Sequence, residues 1–145
     1  MKILLVSDSH NDYVSLDRLA KMYPNMDLYL HAGDSEQDEW SIKPFISVRG
    51  NCDHYHDFPI FLIIPSPYGN IYVQHTPFVS PSVINEHKAK IVIHGHTHTR
   101  RKEMKNSILY INPGAISYAR DKFDGSYAII EIETNHVDVK FYTLK

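Results

Sequence analysis

Seven side chains of metal-donor type stand just beyond short apolar runs of this chain. Asp8 and His10 follow Ile3 to Val6, and Asp34 follows Leu28 to Leu30 by way of His31-Ala32-Gly33. Asn51 follows Phe45 to Val48, His75 follows Ile71 to Val73, and His96 and His98 follow Ile91 to Ile93. Taken singly, each has a plainer reading: Gly33-Asp34 and Gly50-Asn51 are ordinary turn formers. His96 and His98 also fit an exposed strand tip, since alternate residues of a strand share a face. Turn chemistry does not call for His10, His75, His96 and His98 at the same kind of place. Histidine is the commonest metal ligand and the usual acid or base near neutral pH, and the chain holds ten.

If the seven converge, they are too many for one tetrahedral zinc and suit two ions that share one carboxylate and keep positions open for water or substrate. Mixed imidazole and carboxylate donors favour Mn, Fe, Zn, Co or Ni over Ca or Mg, which prefer oxygen alone. Two divalent ions against two carboxylates leave an excess of positive charge. Such a site attracts hydroxide and phosphate, and ions roughly 3.5–4 Å apart stabilise the entering and leaving oxygens of an in-line displacement.

The elements that must position these residues can be read from the same runs. Ile3 to Val6, Leu28 to Leu30, Phe45 to Val48, Ile60 to Ile64, Ile71 to Val73, Ile91 to Ile93 and Ile108 to Ile111 are short, branched or aromatic, and bounded by turn residues, which predicts strands. Ser126 to Ile132 and His136 to Leu144 read as a terminal hairpin. Leu16, Leu19, Ala20 and Tyr23 form one apolar helical stripe that stops before Pro24. The capping-box spacing of Ser35 to Asp38 predicts a second, short helix, and Ser80-Pro81 an N-cap with proline at the first helical position. The whole is an α/β chain with sheets covered by helices, in which ligands bind in the crevice at the carboxyl ends of strands.

Length and composition bound the rest. The 145 residues fit one domain, 1–145, with a hydrophobic fraction of 43%. A formal net charge of -2 gives no broad attraction to nucleic acid or anionic membrane, and "TRRKEMKN" reads as a solvated hairpin. The single Cys52 excludes an internal disulfide framework and fits a reducing cytoplasm. The opening "MKILLVSDSH" is too short an apolar run for a signal peptide or membrane span.

The motifs "SDSH", "HAGD", "GNCD", "QHT", "GHTH" and "NPG", in this order, resemble the calcineurin-like metallophosphoesterases, especially the small bacterial and archaeal phosphodiesterases of the YfcE type. The resemblance implies a four-layer α-β-β-α sandwich of two mixed β-sheets flanked by helices. It implies two divalent metal ions, manganese first and Fe, Zn, Ni or Co as alternatives. One would be held by Asp8, His10 and His98, the other by Asn51, His75 and His96, with Asp34 bridging. The implied reaction is hydrolysis of a phosphodiester, or another small-molecule phosphoester, by a hydroxide held between the ions. Larger relatives carry His where this chain has Cys52, which leaves the general acid unassigned. Cys52 is read as an inert wall of the site, and His54 and His56 as possible substrate contacts. His31 and His94 point away from the set by strand alternation, in supporting roles, and Asn112-Pro113-Gly114 forms a turn near it. The rival reading is a protein-interaction scaffold like the retromer subunit that shares the fold, with a vestigial metal site.

Overall fold

The computed structural model describes residues 1–54 and 57–144. The first sheet holds β1 (Lys2–Val6), β2 (Leu28–His31) and β3 (Ile46–Ser47), completed by β9 (Ser126–Glu133) and β10 (His136–Thr143). The second holds β4 (Phe61–Ile64), β5 (Asn70–Gln74), β6 (Ala89–Ile93), β7 (Arg100–Lys105) and β8 (Ile108–Pro113). Helix α1 (Tyr13–Met22) follows β1, and α2 (Pro81–His87) follows β5.

The strand orders are β10-β9-β1-β2-β3 and β4-β5-β6-β8-β7. Each sheet has a parallel centre: β1 pairs with β2 and β2 with β3, while β6 lies between β5 and β8. Antiparallel neighbours β9, β4 and β7 then make both sheets mixed.

Period-two alternation sorts the side chains into layers. Ile3 and Leu5 of β1 point inward to meet Ile91 and Ile93 of β6 in the core between the sheets. Their neighbours Leu4 and Val6 point outward onto Leu16 and Leu19 of α1. On the far side Tyr72, Val92 and Ile108 are covered by Val83 and Ile84 of α2. The result is the expected helix–sheet–sheet–helix sandwich. Each fully buried Leu or Ile contributes roughly 1.5–3 kcal/mol as an upper estimate.

The Asp12 side chain caps α1 by accepting the Ser15 N–H, and Ser80 caps α2 by accepting that of Val83. The helix expected from Ser35 to Asp38 does not form: this stretch is irregular, followed by turns over 39–44. Glu36 sits at φ 56°, which no right-handed helix allows, and its N–H donates to Asp53 Oδ1 instead of entering a helical ladder. The run Phe45 to Val48 yields only the two residues of β3. The basic segment does form a hairpin, β7–β8, closed by Asn106 and Ser107 at positive φ.

Candidate metal centre at the strand ends

The ends of β1, β2, β3, β5 and β6 bring the seven candidates together. Asp8 is fully buried, and Asp34, His75 and His98 are 2%, 3% and 6% exposed, while Asn51 and His96 form the open mouth. Ligand atoms of Asp8, His10 and His98 lie within 4.8 Å of one another, as do those of Asp8, Asp34 and His75. Asn51 joins through Oδ1, 3.0 Å from His96 Nδ1, and the His75 and His96 rings meet edge to face at 5.1 Å.

Three imidazoles are oriented alike. Nδ1 of His10 donates to Glu36 Oε2 at 2.9 Å, that of His75 to the Ala32 carbonyl at 2.8 Å, and that of His98 to the Tyr118 carbonyl at 2.8 Å. With Nδ1–H so committed, each Nε2 presents its lone pair inward. They face Asp8 Oδ1 at 3.9, 3.7 and 3.2 Å, respectively. The other oxygen, Oδ2, is engaged by Ser7 Oγ at 2.6 Å and the His96 N–H at 3.1 Å. Asp8 Oδ1 and His75 Nε2 are buried without an aligned hydrogen-bond partner, a costly arrangement that a cation between them would relieve.

The electrostatics run the same way. Burial works to raise the Asp8 carboxyl, but the His98 contact and the His75 charge pull it below its usual value. Asp34 is likewise lowered against burial, by His75 and the Cys52 N–H. Burial works to lower His75, yet Asp34 and Asp8 raise it, and Asp8 raises His98. Both acids favour the anion, and beside them both imidazoles take up positive charge more readily than usual, so the cluster as a whole attracts positive charge.

The backbone is bent to make this possible. Asp8, His10, Asp34, His96 and His98 all have positive φ, between 44° and 71°. Such conformations cost non-glycine residues of order 1–3 kcal/mol each and cluster at functional sites. Gly95 lets the β6 loop touch β1: a Cβ there would lie 2.0 Å from Ser7 Oγ. Buried Asn112 fixes the same loop, donating to the Gly95 carbonyl at 3.1 Å and Thr97 Oγ1 at 3.0 Å, which gives the "NPG" turn its role.

His31 and His94 stay outside the cluster; for His94 the reason is not alternation, which would give it the face of His96, but the end of β6 at Ile93 and the left-handed turn at His96. His31 Nδ1 accepts the Gly33 N–H at 3.0 Å and Nε2 meets Ser9 Oγ at 2.9 Å. His94 Nδ1 donates to the Gly95 carbonyl and Nε2 accepts from Arg101. Burial, the main cause, pushes both down to about 4. For His31 the folded value lies below the unfolded one near 6.5, so the unfolded chain takes up its proton first as pH falls. Stability should therefore decline between about pH 6.5 and 4, by about 3 kcal/mol from this residue. Urea unfolding in chelator across that window should show His31→Gln reducing the pH slope by up to one proton; an unchanged slope would refute the assignment.

Cys52 has its Sγ near His10 and Asp34, but burial and the charges of Asp34 and Glu36 raise its pKa and keep it a thiol. What serves the site is its backbone, whose N–H donates to Asp34 Oδ1 at 2.7 Å. His54 is exposed, and His56 lies outside the described residues.

Two supporting acids escaped the sequence reading. Glu36 holds His10, and Asp53 accepts the N–H groups of Asp34, Glu36 and Gly50 at 3.0, 2.9 and 2.7 Å. Asp53→Ala should cost about 3 kcal/mol or more in chemical denaturation, because buried donors lose a charged acceptor. A loss below 1 kcal/mol, on the scale of an ordinary surface substitution, would mean that the loop is held otherwise.

Comparison with known proteins decides the family. The model of the calcineurin-like phosphoesterase superfamily domain matches residues 1–135. The chain belongs to this superfamily. It is 33% identical to the probable metallophosphoesterase YsnB of Bacillus subtilis, over 98% of this chain and 90% of that protein. A conserved uncharacterized protein from Streptococcus pneumoniae superposes with a TM-score of 0.87 at 28% identity, covering 99% of this chain and 89% of its own. At 18% identity the phosphoesterase YfcE of E. coli (TM-score 0.73) and the Zn-complexed Vps29 of Entamoeba histolytica (TM-score 0.70) share the fold over the full length of both chains. Membership carries a general phosphoesterase activity and a requirement for divalent metal ions, which the buried acids and inward-facing imidazoles fit. No helix among the described residues is long and apolar enough to cross a membrane.

Proposed function

We propose that the protein is a phosphodiesterase working with two divalent metal ions, manganese first among them, in one domain over residues 1–145. Asp8, His10 and His98 hold one ion, Asn51, His75 and His96 the other, and Asp34 is shared. The observation that carries this reading is the set of three imidazoles, each with Nδ1–H engaged, aiming Nε2 at a buried Asp8 oxygen that has no donor. Lone pairs facing lone pairs in a buried site call for cations.

Bound there, such ions supply Lewis acidity, lowering the pKa of water and offsetting charge on phosphoryl oxygens. The chain does the positioning. Glu36 and the Ala32 and Tyr118 carbonyls lock the ring orientations, Asn112 fixes the histidine loop, and Asn51 and His96 leave an open mouth for substrate. No lysine or arginine among the described residues hydrogen-bonds to the seven side chains, which suits the single charge of a diester better than the nearly double charge of a monoester.

The Vps29 likeness shows the fold alone, and the choice between enzyme and scaffold rests on the site. The test is hydrolysis of bis-p-nitrophenyl phosphate by chelator-stripped protein. Turnover should be absent and return with Mn²⁺; metal demonstrably bound without turnover would overturn the proposal.

A further inference from the structure

Tyr118 stands out among the residues around the cluster. The residue is 75% exposed, although its carbonyl is tied into the site by His98 Nδ1. Its ring stands edge-on to His10, with centroids 5.6 Å apart. The backbone is at φ 62°, where glycine or asparagine would be less strained than a bulky aromatic residue. Holding the carbonyl toward His98 requires only that backbone and no phenol. The side chain is therefore more than the local fold needs, and its open face stands beside the imidazole that lines the cluster. Beyond it, Arg120 is anchored by its N–H to the His98 carbonyl at 2.9 Å, and its charge is felt by His98.

We propose that Tyr118 contacts substrate: its ring is the stacking surface for a flat aromatic substituent, nucleobase or aryl, of the phosphate ester held at the cluster. This rests on the phosphoesterase reading above and adds a substrate class to it. An exposed aromatic face stacks on any such ring without reading its hydrogen-bonding edge, so the preference is for aromatic over aliphatic ester groups and not for one base. Stacking of this kind is worth about tenfold in affinity.

The test is calorimetric binding to the Mn²⁺-loaded protein of two probe pairs that differ in the ring: AMP against ribose 5-phosphate, and phenyl phosphate against methyl phosphate. Tighter binding by about tenfold of the ring-bearing member of either pair is expected, and which pair responds tells nucleobase from aryl recognition. Tyr118→Phe should keep the ratio. Tyr118→Leu, which still covers His10, should bring it to unity while metal content and the affinity for the ringless probe stay as in the wild type. Equal binding within both pairs by the wild type, or a ratio that survives Tyr118→Leu, would overturn the stacking role and leave the phosphoesterase reading intact. Failure of all four probes to bind would likewise overturn the stacking role, while the phosphodiesterase reading, since these probes are monoesters, stands or falls by the diester assay above.

Discussion

Asp34→Asn is expected to lower kcat/KM for a phosphodiester by about a thousandfold, the upper range for losing one preorganised electrostatic group. The substitution is nearly isosteric. Its Oδ1 can still accept the Cys52 N–H that now lies at 2.7 Å, and an amide nitrogen in place of Oδ2 would face His75 Nε2 at 3.1 Å with a donor where there was none. The fold should survive, so the loss would report the missing charge. Metal content should fall from two ions toward one.

The depressed pKa of Asp34 sets a second readout. Its charged form contributes stability above the unfolded carboxylate value, and that contribution is lost as pH falls through the folded value. The variant should therefore be modestly less stable at neutral pH and less sensitive to acid. Retention of two ions with undiminished turnover would remove Asp34 from the bridging place proposed for it.

The second large effect is expected from Gly95→Ala. Beyond the 2.0 Å approach to Ser7 Oγ, the added Cβ would lie 2.7 Å from Asp8 Oδ2. Both neighbours are fully buried, and Gly95 is held from two sides by its own N–H to the His75 carbonyl and by Asn112 on its carbonyl. The methyl must push β1 and the histidine loop apart. Overpacking of this kind costs about 1–3 kcal/mol. A displacement near 1 Å at Asp8 or His96 costs activity about a hundredfold. Adding Ser7→Ala removes the closest clash, so the double variant should regain part of the lost stability in thermal unfolding, a non-additivity that neighbouring sites show and distant ones do not. Strict additivity would locate the strain elsewhere.

The placement of the site was legible because strand ends are legible. Short apolar runs ended by Asp, Asn and His told where each donor would leave its sheet, but alternation alone would put His94, His96 and His98 on one face; what parts His94 from the other two is the end of β6 at Ile93 and the left-handed backbone of His96. The supporting residues were not. Glu36 meets His10 across 26 positions, and Asp53 meets Glu36 across 17, in irregular loops where no periodicity links them. The same long-range bond misled the reading of Ser35 to Asp38, whose local capping pattern is overridden once Glu36 N–H turns to Asp53. Nor could residue type announce the left-handed backbone of His10, His96 or Tyr118, since histidine and tyrosine gain nothing locally from it.

The cluster draws Asp8, His10, Asp34 and Asn51 from the first sheet and His75, His96 and His98 from the second, across the central core. It therefore works as a gauge of how the two sheets register: a slip between them would separate Asp8 from His75 and His98 before it exposed much apolar surface. Any cation gripped by both halves acts as a rivet through the sandwich. It can be captured only after the halves have docked, and once captured it must be released before they can part. Slower unfolding with metal than without would be the kinetic signature of that rivet.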